Sequence, residues 1–166
     1  MMESSWSSRT DRPRVALGAD HAGFQAKESL KKYLQSAGYA VNDVGAWSEE
    51  SVDYPDFAVK VALSVQQGRD DMGILICGTG IGMAMTANKV GGIRAAVAHD
   101  AMTARMSREH NDANVLTLGA RILKPDEALR IVDKWLATQF AGGRHERRVE
   151  KIAAIEKEED SAATAR

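Results

Sequence analysis

The chain has 166 residues, with 22 Lys and Arg set against 23 Asp and Glu, and a single cysteine. That length suits one domain with a sizeable core. The near-neutral balance excludes the broad basic field that nucleic acid or an anionic membrane would select, and one cysteine excludes an internal disulfide and fits a reducing, cytoplasmic setting.

No apolar run is long enough to span a bilayer, so no membrane association is expected. The first residues, M-M-E-S-S-W-S-S-R-T-D-R, lack the apolar core of a signal peptide. Residues 1–13 read as a disordered N-terminal extension, 14–158 as the domain, and the polar stretch 159–166 as a disordered tail.

Within the domain, residues 15–19 (V-A-L-G-A) form a compact apolar strand. The stretch 22–37 carries Phe24, Leu30, Tyr33, Leu34 and Ala37 at helical spacing, and Gly38 suits a C-cap. Residues 39–44 alternate as an edge strand would. After the polar loop G-A-W-S-E-E-S-V-D-Y-P-D, Pro55 opens a helix with Phe57, Val61 and Val65 on its apolar face. Further strands are expected near 72–77, 93–98 and 115–118, with helices over 101–109, from Pro125 to Leu136, and from Arg144. On the last, Val149, Ile152 and Ile155 mark the inner stripe. Five apolar strands separated by helices define a single-domain, three-layer, Rossmann-like α/β fold: a five-stranded parallel sheet with helices on both faces and a C-terminal helix. The flavodoxin-like order 2-1-3-4-5 would place a ligand crevice between strands one and three.

The chain is organised around residues 72–88, M-G-I-L-I-C-G-T-G-I-G-M-A-M-T-A-N. A buried strand ends at Cys77, and a loop of alternating glycines (Gly78, Thr79, Gly80, Ile81, Gly82) leads into a helix. Such a loop brings backbone N–H groups close to a ligand and favours oxygen anions. A thiol beside it is open to partial ionisation; the bland alternative is a buried cysteine at a structural turn. Gly18-Ala19-Asp20-His21 ends strand one and faces it across the expected crevice. A dinucleotide fingerprint fails in both registers, because its third glycine would be Met83 or Met85. His21, Cys77, His99 and His110 show no close metal-ligand spacing. His21 reads equally as a helix-start residue, His110 as a cation at a helix C-terminus, and His99 as peripheral. Arg144 and Arg148 share one helical face near its N-terminus, where two cations oppose the dipole unless an anion lies between them. Arg121, after strand five, is a third anion ligand candidate.

The segments G-A-D-H-A-G-F, D-Y-P-D, C-G-T-G-I-G-M, A-N-K-V-G-G-I-R, S-R-E-H-N-D-A-N-V-L, G-A-R and G-G-R-H-E-R-R-V occur in this order from about residue 15 to 155. With them the chain resembles the type B ribose-5-phosphate isomerases, which share a fold with the subunits of galactose-6-phosphate isomerase. The resemblance implies interconversion of ribose 5-phosphate and ribulose 5-phosphate, a step of the non-oxidative pentose phosphate pathway, without metal or other cofactor. It implies Cys77 as the base between C1 and C2, Thr79 and the N–H groups of Gly78, Thr79, Gly80, Ile81 and Gly82 as the enediolate cradle, and His110 as the ring-opening group. Asp20 and Asn111 would hold sugar hydroxyls, and His21, Arg121, Arg144 and Arg148 the phosphate. One branch of the family replaces this cysteine by a glutamate after the last loop glycine; here that position is Met83, and the cysteine branch fits. A homodimer, or a pair of such dimers, with sites built from both subunits is implied as well, and Tyr54 and some arginines are then candidates to come from the neighbour. A six-carbon sugar phosphate as substrate, and a non-catalytic phosphosugar-binding module, are the alternatives.

Overall fold

A computed structural model describes residues 12–165. The expected N-terminal extension lies outside the described residues except for Arg12 and Pro13. These two belong to the body: Pro13 is buried, and the Arg12 guanidinium lies 5.1 Å over the Tyr39 ring.

The elements are β1 (Val15–Ala19), α1 (Phe24–Ser36), β2 (Val41–Asp43), α2 (Tyr54–Gln66), β3 (Met72–Cys77), α3 (Ile81–Ala87), β4 (Ala95–Val97), α4 (Ala101–Glu109), β5 (Val115–Gly119), α5 (Pro125–Ala137) and α6 (Arg144–Thr164). The strands form one parallel sheet, as the apolar runs separated by helices lead one to expect. Successive side chains point to opposite faces. Val15, Leu17, Ile74, Ile76, Leu116 and Leu118 pack with Leu30, Leu34, Ile131 and Trp135 of α1 and α5. On the other face Ala16, Leu75 and Val115 pack with Ala58, Val61, Ala62, Met83 and Ala87 of α2 and α3. The α2 face is lined by small residues, and α2 sits close to the sheet: a Cβ on Gly73 would lie 2.5 Å from Val61 Cγ1.

Two expectations are corrected. The strand order is β2-β1-β3-β5-β4, not 2-1-3-4-5. β5 is buried along its whole length, which suits the interior of a parallel sheet, whereas β4 has three half-buried residues and suits an edge. The exchange matters for the site. It pairs Gly119 with Cys77, so the segment after β5, which carries Arg121, lies directly beside the glycine loop. The last helix is the second correction. It runs on to Thr164 through the stretch expected as a tail, where Glu159, Ala162 and Ala163 are strong helix formers. Its stripe is not an inner one within this chain: α6 has no buried residue, and Ile152 and Ile155 are exposed.

Candidate active site

Three strands end together at one edge of the sheet. β3 ends at Cys77, which is buried, and its carbonyl accepts from the N–H of Ala120 after β5. Its Sγ accepts the N–H of Gly80 at 3.1 Å. Gly80 sits at φ +78°, a conformation that favours glycine. Thr79 is exposed at the tip, and its hydroxyl accepts from the Ile81 N–H at 3.3 Å. Two of the five N–H groups of the expected cradle thus have partners inside the loop. Arg121 covers Gly78 so closely that a Cβ there would be 3.1 Å from Nη1. A side chain on the middle residue of C-G-T would press on the Arg121 side chain.

Across the β1–β3 crevice, buried Asp20 turns the chain: its Oδ1 accepts the Gly23 N–H at 3.1 Å. Any side chain on Gly23 would run into the Ile76 carbonyl oxygen, which explains the second glycine of G-A-D-H-A-G-F. His21 Nδ1 lies 3.2 Å from both the backbone N and O of Val52, which fixes the ring against the loop ahead of α2. Tyr54, first residue of α2, packs its ring on Gly82 of this same chain, where a Cβ would be 2.6 Å from Cε2 and Cζ. Asp20, His21, Tyr54, Cys77, Thr79, Gly80 and Arg121 are therefore one assembly within one chain.

The remaining predicted residues form a second assembly. His110 ends α4, and its ring stacks on His145 of α6 with centroids 4.3 Å apart and planes 8° from parallel. Desolvation, followed by the charges of His110, Arg144 and Arg148, holds the His145 imidazole below its ordinary value, against an opposing pull from Glu109. Arg144 and Arg148 are exposed beside it on α6. The turn after His110 is braced from two sides: Arg94 Nε donates to the carbonyls of Asn111 and Asp112, and the Asp112 carboxylate pairs with Arg94 and Arg108. Asp112 takes φ +46°, and the brace holds that conformation.

The two assemblies do not meet within one chain. The His110 turn leads into the start of β5, while Cys77 pairs with Gly119 at its end. At the usual rise per residue, β5 separates them by roughly 13 Å.

Sequence reasoning passed over two residues here. His145 is merely next to Arg144 in the sequence, and only the placement of the first turn of α6 brings its ring against His110 at the end of α4. His99, read as peripheral, places Nε2 3.1 Å from the Thr79 carbonyl oxygen. It stands two residues past the end of β4, so the strand-end rule that singles out Cys77 would have flagged it too. Among the described residues no group of three His, Cys, Asp or Glu side chains is placed to hold a metal ion, and no helix is long and apolar enough to cross a membrane.

A parallel sheet with an oxyanion-type loop at the ends of β3 and β5 defines a class of small-molecule enzyme folds, and comparison makes the class specific. Residues 15–152 match the Ribose/Galactose Isomerase family, and the chain belongs to it. It is 50% identical over 143 residues to the ribose-5-phosphate isomerase B of Escherichia coli (strain K12), covering 86% of this chain and 96% of that protein. Its fold is similar to that of Clostridium thermocellum ribose-5-phosphate isomerase B, with TM-score 0.87, 54% identity, and coverage of 87% of this chain and 98% of the other. It is also similar to ribose-5-phosphate isomerase B from Mycoplasma genitalium with bound ribulose-5-phosphate, with TM-score 0.85, 42% identity, and coverage of 87% and 97%.

Proposed function

We propose that this protein is an aldose–ketose isomerase that interconverts D-ribose 5-phosphate and D-ribulose 5-phosphate through an enediolate. The observation that carries the reading is the Cys77 sulfur at the end of β3, hydrogen-bonded by Gly80 inside a donor loop. The bound ribulose-5-phosphate of the Mycoplasma genitalium relative supports the substrate. In the aldose-to-ketose direction the Cys77 thiolate takes the proton from C2. The C2–H electrons form the C1–C2 double bond, and the C1 carbonyl electrons move onto oxygen. Loop N–H groups and Thr79 stabilise that oxyanion without rearranging. The same sulfur returns the proton to C1, the C2 hydroxyl proton passes to O1, and the carbonyl is left at C2. No electrons are gained or lost overall, so the step calls for no redox cofactor, and in this reading the loop donors supply the oxyanion stabilisation that a Lewis-acid metal would otherwise give. His110 opens the furanose ring, Asp20 and Asn111 hold sugar hydroxyls, and His21, Arg121, Arg144 and Arg148 hold the phosphate.

The working unit in this reading is a cytoplasmic homodimer, or a pair of such dimers, in which the His110 assembly of one chain faces the Cys77 assembly of the other. The separation across β5 motivates that arrangement, and so do the exposed Ile152 and Ile155 on α6.

The test is turnover of ribose 5-phosphate beside allose and galactose 6-phosphates, with and without chelator. Efficient conversion of the pentose, unaffected by chelator, is expected. Preference for a hexose phosphate would move the substrate assignment, and binding without turnover would leave only a binding module. The phosphate clamp gives a finer check. A guanidinium holds two phosphate oxygens at once, whereas an ammonium is a point charge. Arg148→Lys is therefore expected to raise KM, Arg148→Ala to raise it further, and Arg147→Ala, on another face of α6, to be nearly silent. An equal effect at Arg147 would mean a diffuse charge field instead of a clamp.

A further inference from the structure

The peptide unit between Thr79 and Gly80 is used at both ends. Its carbonyl oxygen lies 3.1 Å from His99 Nε2, and its N–H donates to Cys77 Sγ at 3.1 Å. A carbonyl cannot donate, so Nε2 carries the hydrogen. In a trans peptide the C=O and N–H point in opposite directions, and fixing one fixes the other. We infer that His99 is a positioning residue for the proton-transferring cysteine: by holding the Thr79 carbonyl it keeps the Gly80 N–H aimed at the Cys77 sulfur. The inference rests on the reading of Cys77 as the base.

The local backbone explains why such a hold is needed. Glycines on both sides of Thr79 make a flip of this peptide inexpensive, and Gly80 already sits at positive φ. A flipped peptide would turn its carbonyl oxygen toward the sulfur and repel a thiolate. Gly119 leaves room for the observed orientation, since a Cβ there would be 2.9 Å from both C and O of Thr79. His99 is exposed and leads into α4. The Asp100 carboxylate is engaged as the N-cap of α4, accepting from Thr103 N–H at 2.6 Å and the Thr103 hydroxyl at 2.9 Å. Hydrogen bonds in series polarise one another, so a donor on the Thr79 carbonyl also strengthens the Gly80 N–H as a donor to sulfur.

Cys77 is the only cysteine, so alkylation of the intact enzyme by iodoacetamide, followed by mass spectrometry, reports on it alone. At one fixed neutral pH, His99→Ala is expected to slow alkylation and lower kcat, each roughly three- to tenfold, with KM little changed; that is the loss of one neutral hydrogen bond acting on the thiolate. His99→Gln presents an amide N–H at similar reach and is expected to recover most of both rates. His99→Glu has no donor when ionised and is expected to remain slow. A merely loosened loop would expose Cys77 and speed its alkylation. Alkylation of His99→Ala at or above the unaltered rate overturns the inference, as does failure of His99→Gln to recover. Near-native turnover by Cys77→Ala would instead remove the base on which the inference rests, and that outcome is read independently of the alkylation series.

Discussion

Refolding equal amounts of the Cys77→Ala and His110→Ala variants together is expected to restore about a quarter of the unaltered turnover, although each variant alone is nearly inactive on cyclic ribose 5-phosphate. In the proposed reading both are acid or base groups, whose loss typically costs roughly a hundredfold or more, so neither variant alone contributes much. The prediction follows from the two assemblies lying at opposite ends of β5. If each site takes Cys77 from one chain and His110 from the other, a mixed dimer has one site lacking both groups and one site intact. Random pairing makes half the dimers mixed, with half of their sites working. If both groups served the same chain's site, every site in the mixture would lack one of them, and refolding would recover nothing. Turnover before and after co-refolding decides between the two, and a mixture that stays inactive would sink the shared-site arrangement.

What the sequence made legible, and what it did not, divides along one physical line. Local pattern carries element type: V-A-L-G-A and M-G-I-L-I-C are apolar runs bounded by turn residues, and they are β1 and β3. The strand-end rule also picks out Cys77, Asp20 and His21, because backbone chemistry at a parallel strand's end is local. Pairing between strands is not local. Nothing within Ala95–Val97 or Val115–Gly119 states which lies beside β3; their different burial decides it, and burial is a property of the assembled sheet. The His110–His145 stack depends in the same way on where α6 returns after the glycines at 142 and 143. Lys27 was hidden for a further reason. It falls on α1 among apolar positions, where a lysine reads as a solvated one, yet it is fully buried.

That lysine sets the second large expectation: Lys27→Met is expected to lower stability at neutral pH by about 3 kcal/mol. Lys27 Nζ donates to both Asp43 oxygens, at 2.9 and 2.8 Å, and to Glu28 at 2.7 Å, and it lies 5.5 Å from the Phe24 ring centroid and 5.1 Å from that of Trp47. Lys31 joins the same two carboxylates. Asp43 Oδ1 also accepts the Gly45 N–H at 3.0 Å, and the Gly45–Ala46 backbone exchanges hydrogen bonds with Ala19, the residue before Asp20. The network therefore ties the end of β2 to the crevice. Removing Lys27 leaves a largely buried carboxylate with Lys31 as its remaining cation, and Glu28 with the same one. The pH dependence has a definite sign. Burial pushes the Asp43 carboxyl up, but hydrogen bonds from Lys27, Lys31 and the Gly45 N–H outweigh it and hold the group below the usual carboxylate range. A depressed carboxyl contributes stability that is fully present above its unfolded value, about 3.9, and is lost as pH falls through its folded value. The gap between the unaltered protein and Lys27→Met is therefore expected to be widest at neutral pH and to narrow in acid. Denaturant midpoints at pH 7 and pH 3, taken at one protein concentration because the stability of the proposed dimer would depend on it, provide the check. A variant as stable as the unaltered protein at pH 7, or a gap that does not shrink in acid, would show that the buried lysine is held in place by packing and not by its charge.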